Sequence, residues 1–129
     1  MNRTRGFTVV EILVAIVFLV FAGSLFYIQK RDLGIADRDN DRKTAINAMY
    51  YNLEEVYYSA HNSYPATISE KNLTAMDPTL FKDPNGVAVG EQDSNYRYEP
   101  SSCTDDVCKS YTLRADLESE ADFIKTSRH

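Results

Sequence analysis

From Phe7 to Ile28 the chain runs for 22 residues with a single charged side chain, Glu11. As a helix this stretch rises about 33 Å, enough to cross the hydrocarbon core of a bilayer. A carboxylate is costly there, because it gives up its hydration. Glu11 therefore needs an explanation. Arg3 and Arg5 precede the run, which favours a cytoplasmic N-terminus, while Lys30 and Arg31 follow it and nearly balance the charge vote. Two ordinary readings compete for the segment. Ala22 and Ser24 have the small-x-small spacing of a secretory cleavage site, but the apolar run continues past them through Leu25, Phe26, Tyr27 and Ile28. A plain anchor helix leaves Glu11 with no partner.

Beyond the run, the chain of 129 residues has room for one small domain with a modest core. Its formal net charge of −5 argues against a surface that neutralises nucleic-acid phosphates. Cys103 and Cys108 are its two cysteines, and they suit one small disulfide in an oxidising compartment. Two reduced thiols in a loop are the alternative. Export of the C-terminal part, as the front segment suggests, favours the disulfide.

Residues 30–44 alternate acids and bases, with Asp37, Asp39 and Asp41 among Arg38, Arg42 and Lys43. A solvated helix face is the plain expectation, and pairing between subunits the sharper one. No proline interrupts the helix here. Ile46, Met49, Leu53, Val56 and Ala60 then recur at spacings of three and four, which predicts one apolar stripe facing a sheet. Ser63-Tyr64-Pro65 ends the helix, since proline cannot continue it and restricts its predecessor. A single helix from Phe7 to about Asn62 would be roughly 84 Å long. The tyrosines crowded at 50, 51, 57, 58 and 64 read as core and rim packing.

Residues 65–90 are broken by proline and glycine, with a turn at Asp83-Pro84-Asn85-Gly86 and a short helical turn expected near 69–76. Leu73, Met76, Leu80 and Phe81 are candidates to cover the core. Residues 95–99 and 109–118 alternate as strands do. Tyr111, Leu113, Ala115 and Leu117 share one face of the second strand. The two cysteines would clasp the loop between the strands. The tail either returns along the sheet edge or stays mobile, and Phe123 and Ile124 argue for some docking. The pattern predicts an α+β chain: residues 7–28 as the apolar half of the helix, 29–62 as its amphipathic half, and 63–129 as a head with a β-hairpin.

No nucleophile motif, phosphate loop or zinc spacing occurs, and His61 and His129 are the two histidines, so no enzyme is expected. Asp83, Glu91, Asp93 and Asp105 are oxygen donors of the kind calcium takes, without EF-hand spacing. Solvated loop acids are the default, and no cofactor is expected.

The stretch "RGFTVVEILVAIVFLV" resembles the class III signal of type IV pilins and their pseudopilin relatives. A basic leader, a Gly, a Phe after the cut and a Glu five residues into the mature chain stand here as residues 1–6, Gly6, Phe7 and Glu11, ahead of an apolar helix. The resemblance implies a pilin fold, one long helix packed on a small antiparallel sheet. It implies cleavage between Gly6 and Phe7 by prepilin peptidase and N-methylation of Phe7. It also implies assembly into a helical homopolymer by an inner-membrane platform and an assembly ATPase. The protein would begin as a single-pass precursor in the cytoplasmic membrane and end as an extracellular filament. In that setting the Phe7 amine of one subunit and the Glu11 carboxylate of another relieve each other's burial, so the charge sets register. No proline occurs before Pro65, and any break of the helix in a filament is expected near Gly23-Ser24. "KDPNG" followed by "YRYE" is similar to elements of major pseudopilins of type II secretion systems, which implies a calcium loop and a secretion role as the alternative. A signal-anchored surface domain that binds a ligand is the alternative of another class.

Overall fold

The computed structural model describes residues 6–129, so Arg3 and Arg5 lie outside the described residues. The chain divides into two units, one ending at Ile35 and one from Ala36 to His129. The first unit carries most of helix α1, Val9–Tyr51. The helix runs unbroken through Gly23 and Gly34, and the Ser24 hydroxyl donates to Val20 O at 2.8 Å. It is long and apolar enough to cross a membrane, and its apolar window buries nothing among the described residues. Leu, Val and Phe side chains stand exposed on every side of it, Phe18 and Phe26 among them. A helix that is apolar all round matches an apolar solvent or a bundle of its own kind, since neither face is reserved for water.

In the second unit the end of α1 sends Ala45, Ile46 and Met49 into the core, with Leu53 just beyond. One π-helical turn, Asn52–Tyr57, follows, and then α2, Tyr58–His61. Asn62 adopts φ 55° and closes the helix, with its N–H bonded to Tyr58 O at 2.7 Å. The expected stripe fails at this point. Val56 is 38% exposed and Ala60 is also exposed, whereas Asn52, Leu53 and Glu54 are all buried. The cause is geometric. A π turn closes i→i+5 and adds a residue, which rotates everything after it by about 100° relative to an unbroken α-helix.

Four strands form an antiparallel sheet: β1 (Tyr64–Pro65), β2 (Tyr96–Thr104), β3 (Val107–Ala115) and β4 (Phe123–Thr126). β3 lies in the middle. β2 runs along one edge of it, while β1 and β4 share the other, with Tyr64 opposite Cys108 and Phe123 opposite Ala115. Tyr111, Leu113 and Ala115 are buried as the alternation requires, and Leu117 packs partly against the core beyond the strand end. The helix and this sheet make an α+β arrangement, as expected. The hairpin is longer than expected. Both strands reach to a two-residue turn at Asp105-Asp106, where Asp105 takes φ 54°, so the cysteines lie in strands and not in a loop. Phe123 packs against the core, but Ile124 is 48% exposed, because neighbours on a strand point to opposite faces.

Residues 66–95 wrap the core as irregular chain. The turn expected at 69–76 is a single one, closed by Leu73 N to Ser69 O at 3.0 Å. The helical element of this region is instead a 3-10 turn at Pro78–Phe81, capped by the Asp77 carboxylate on Thr79 N. Leu73, Met76 and Phe81 are buried and Leu80 partly so. The turn at Asp83–Gly86 closes with Gly86 N on Asp83 O at 2.8 Å, and Gly86 supplies the φ of +85° that the turn demands.

Candidate assembly site

Gly6 precedes the helix, and a Cβ added there would meet no atom within 4 Å. Phe7 is 79% exposed. The helix then begins at Val9, two residues later than expected, because Thr8 caps it. Glu11 N donates to Thr8 Oγ1 at 3.3 Å, and Glu11 Oε2 accepts from both Thr8 N and Thr8 Oγ1 at 2.9 Å. This is the reciprocal capping box, which satisfies two N–H groups that a helix start leaves without partners. It corrects one expectation: even a plain anchor helix gives Glu11 partners. Thr8 was missed, although Thr-x-x-Glu ahead of an apolar run is the pattern that marks such a box. The box draws the carboxylate back toward the helix start, beside the peptide of Phe7.

The charged run after the apolar segment is not simply a solvated face. Asp39 and Arg42 are each 2% exposed, and they clamp the helix to Glu118 and Ser119 of their own chain. Asp39 accepts from Arg42 Nη1 at 2.8 Å, from Glu118 N at 2.8 Å, and from Ser119 N and Oγ at 2.9 and 2.7 Å. Arg42 also donates to Glu118 at 2.8 Å and to Asn95 at 3.1 Å, while Arg38 holds Glu118 through two bonds of 2.7 and 2.6 Å. Lys43 reaches Glu120 at 2.8 Å. Lys30, Arg31, Asp32, Asp37 and Asp41 are exposed.

Burial works against ionisation of Asp39, but the bonds from Glu118, Ser119 and Arg42 outweigh it and hold its carboxyl well below the usual range. Arg38, then Arg42, lowers the Glu118 carboxyl to about 2. Both groups lie below their unfolded values of about 3.9 and 4.3. Their contribution to stability is therefore complete above those values and is lost as pH falls through the folded ones. Thermal unfolding should be nearly flat from neutral pH to about 5 and decline steeply below about 4. Asp39→Asn should shrink that acid slope. An Asp39→Asn protein with the parent's slope would place the pH dependence elsewhere.

A second buried carboxylate, Glu54, sits in the π turn. It accepts from Tyr111 Oη at 2.7 Å, from Tyr64 Oη at 3.1 Å and from Arg128 N at 3.2 Å. Arg128 also pairs with Glu55. Burial, then the bond to Glu54, pushes the Tyr64 and Tyr111 phenols well above the ordinary tyrosine range. Nothing in the local sequence marks Glu54, since its partners lie in β1, β3 and the tail. Of the other tyrosines in that crowd, Tyr50, Tyr57 and Tyr58 pack partly against the core as expected, whereas Tyr51 is 61% exposed.

The acids considered for calcium do not converge. Among the described residues no three His, Cys, Asp or Glu side chains form a group fit for a metal. Asp83 accepts from Asn85 N, Val87 N and Asn95 N, each at 2.9 Å, so its carboxylate holds the turn against β2. Glu91, Asp93 and Asp105 are exposed. His61 is exposed at the end of α2, stacked on Tyr57. Cys103 and Cys108 form a disulfide with Cα atoms 3.9 Å apart. Against known proteins, no family model, no curated protein and no solved structure matches this chain.

Proposed function

We propose that the chain is the structural subunit of a type IV pilus-like filament and acts by assembly, not by catalysis. One observation carries this. The apolar helix buries none of its apolar window among the described residues, and its one carboxylate, Glu11, stands at its start directly behind Gly6-Phe7. Such a helix needs lipid before assembly and other copies of itself afterwards. Exposed Gly6 with open space around it suits a peptidase that must reach the bond to Phe7. The new Phe7 amine and the Glu11 carboxylate would both stand at the exposed helix start, each available to the opposite charge of a neighbour. The proposed partners are further copies of the chain, prepilin peptidase, the assembly platform and its ATPase. The proposed course leads from the cytoplasmic membrane to an extracellular filament.

A pseudopilin of a type II secretion system is the second reading. It is favoured by the bond from the N–H of Asn95, the residue before β2, to the Asp83 carboxylate, which ties "KDPNG" to the start of "YRYE", the two elements similar to major pseudopilins. Loss of secretion on deletion, without long surface filaments, would select it. A signal-anchored binding domain would keep residues 1–6.

Gly6→Val tests the reading. Added bulk beside the scissile bond should block processing, so the precursor accumulates with its leader attached. Mass spectrometry of the parent protein should find an N-methylated Phe7 as the first residue. A mature chain that starts at Met1 or Asn2 would end the filament reading.

A further inference from the structure

We infer that the Cys103–Cys108 bridge is made and opened through one sulfur: Cys103 exchanges with external thiols and disulfides, and Cys108 reacts only with Cys103. The two residues face each other across β2 and β3 near the hairpin tip. Their surroundings differ. Cys103 belongs to β2, an edge strand, and is exposed. Cys108 belongs to β3, the middle strand, and is 0% exposed, with Tyr64 of β1 directly opposite on its other side. Tyr64 is itself wholly buried, held by its hydroxyl on Glu54. Cys108 is thus closed in beside a residue fixed to the core, while Cys103 is exposed.

Thiol–disulfide exchange requires the incoming sulfur to approach the attacked sulfur, so access selects the site. In oxidation the Cys103 thiolate attacks an external disulfide. A mixed disulfide forms at Cys103 and one external thiolate leaves. The Cys108 thiolate then attacks the Cys103 sulfur and expels the second external thiolate. The chain loses two electrons, and the external disulfide becomes two thiols. Reduction runs in reverse: an external thiolate attacks Cys103, the bridge breaks, and its electron pair goes to Cys108. The inference does not rest on the filament reading.

The experiment uses the full chain in detergent micelles. The probes are neutral, so that Asp105 and Asp106 at the tip do not bias them. Under native conditions the parent disulfide is opened with 2-mercaptoethanol, quenched with an alkylating agent, and mapped by mass spectrometry after cleavage before Asp105. The adduct is expected on Cys103 and the alkyl group on Cys108. An adduct mainly on Cys108, or shared equally, would overturn the proposal. A second measurement uses 2-hydroxyethyl disulfide on the single-cysteine variants. Cys108→Ser, which retains Cys103, should form the adduct on the order of tenfold faster than Cys103→Ser, with the difference abolished in denaturant. Equal native rates would likewise count against it. If either variant fails to fold, the parent mapping decides alone.

Discussion

Glu11→Val should leave the subunit in the membrane at its normal level and abolish filaments. The substitution removes a charge from an apolar segment, so insertion does not suffer. On the proposed reading it also deprives a neighbour's Phe7 amine of its counter-charge at every subunit of the polymer. The capping box complicates that argument, because valine loses the Thr8 contacts as well. Glu11→Gln separates the two roles. Glutamine serves in a capping box as glutamate does, so the helix start is preserved while the charge is gone. If charge sets register, Glu11→Gln should assemble poorly despite an intact helix start. If capping is what matters, Glu11→Gln should assemble like the parent and Thr8→Val should fail. The readout is filament yield in sheared supernatants beside subunit level in membranes. Normal yield from Glu11→Val, with normal processing, would show that register is set elsewhere.

The largest effect on the head should come from Glu54→Ala. Tyr64 and Tyr111 would each keep a buried hydroxyl with no acceptor, and Arg128 N would lose its partner. Unsatisfied buried groups cost about 1–3 kcal/mol each. A loss of about 3–5 kcal/mol is therefore expected, against ~5–15 for a whole small domain. Glu54→Gln retains one acceptor oxygen and should lose less than half as much. Nine tyrosines and no tryptophan make near-ultraviolet circular dichroism a direct report on this packing during urea unfolding of the full chain. Glu54→Ala within about 1 kcal/mol of the parent would mean that the two phenols find other acceptors.

The membrane-length helix and the alternation of Tyr111, Leu113 and Ala115 were legible in the sequence, because each is a local pattern with its own period. The stripe beyond Leu53 was misjudged, since periodicity assumes a constant turn and carries no mark of a π insertion. Asp39 and Arg42 looked like solvated charges because their partners lie at Glu118 and Ser119, far along the chain. Glu54 was overlooked for the same reason. β1 is two residues long and has no pattern to detect. Of the candidate site, Gly6, Phe7 and Glu11 stood out by spacing, whereas the contribution of Thr8 needed the helix start to be placed first.

The sheet's layout also dictates when the head can exist. Among the described residues β1, β2 and β4 each pair only with β3, and β3 is Val107–Ala115. As the polypeptide emerges N-terminus first, α1 can form from local bonds alone, but no named strand finds a mate until Val107–Ala115 have been delivered. Contacts between distant segments form slowly, because a long loop must close before they bring any gain. Until then Ala45, Ile46, Met49 and Leu53 face solvent on a tethered stalk. A truncation before β3 would thus yield a sticky helix with no partial head.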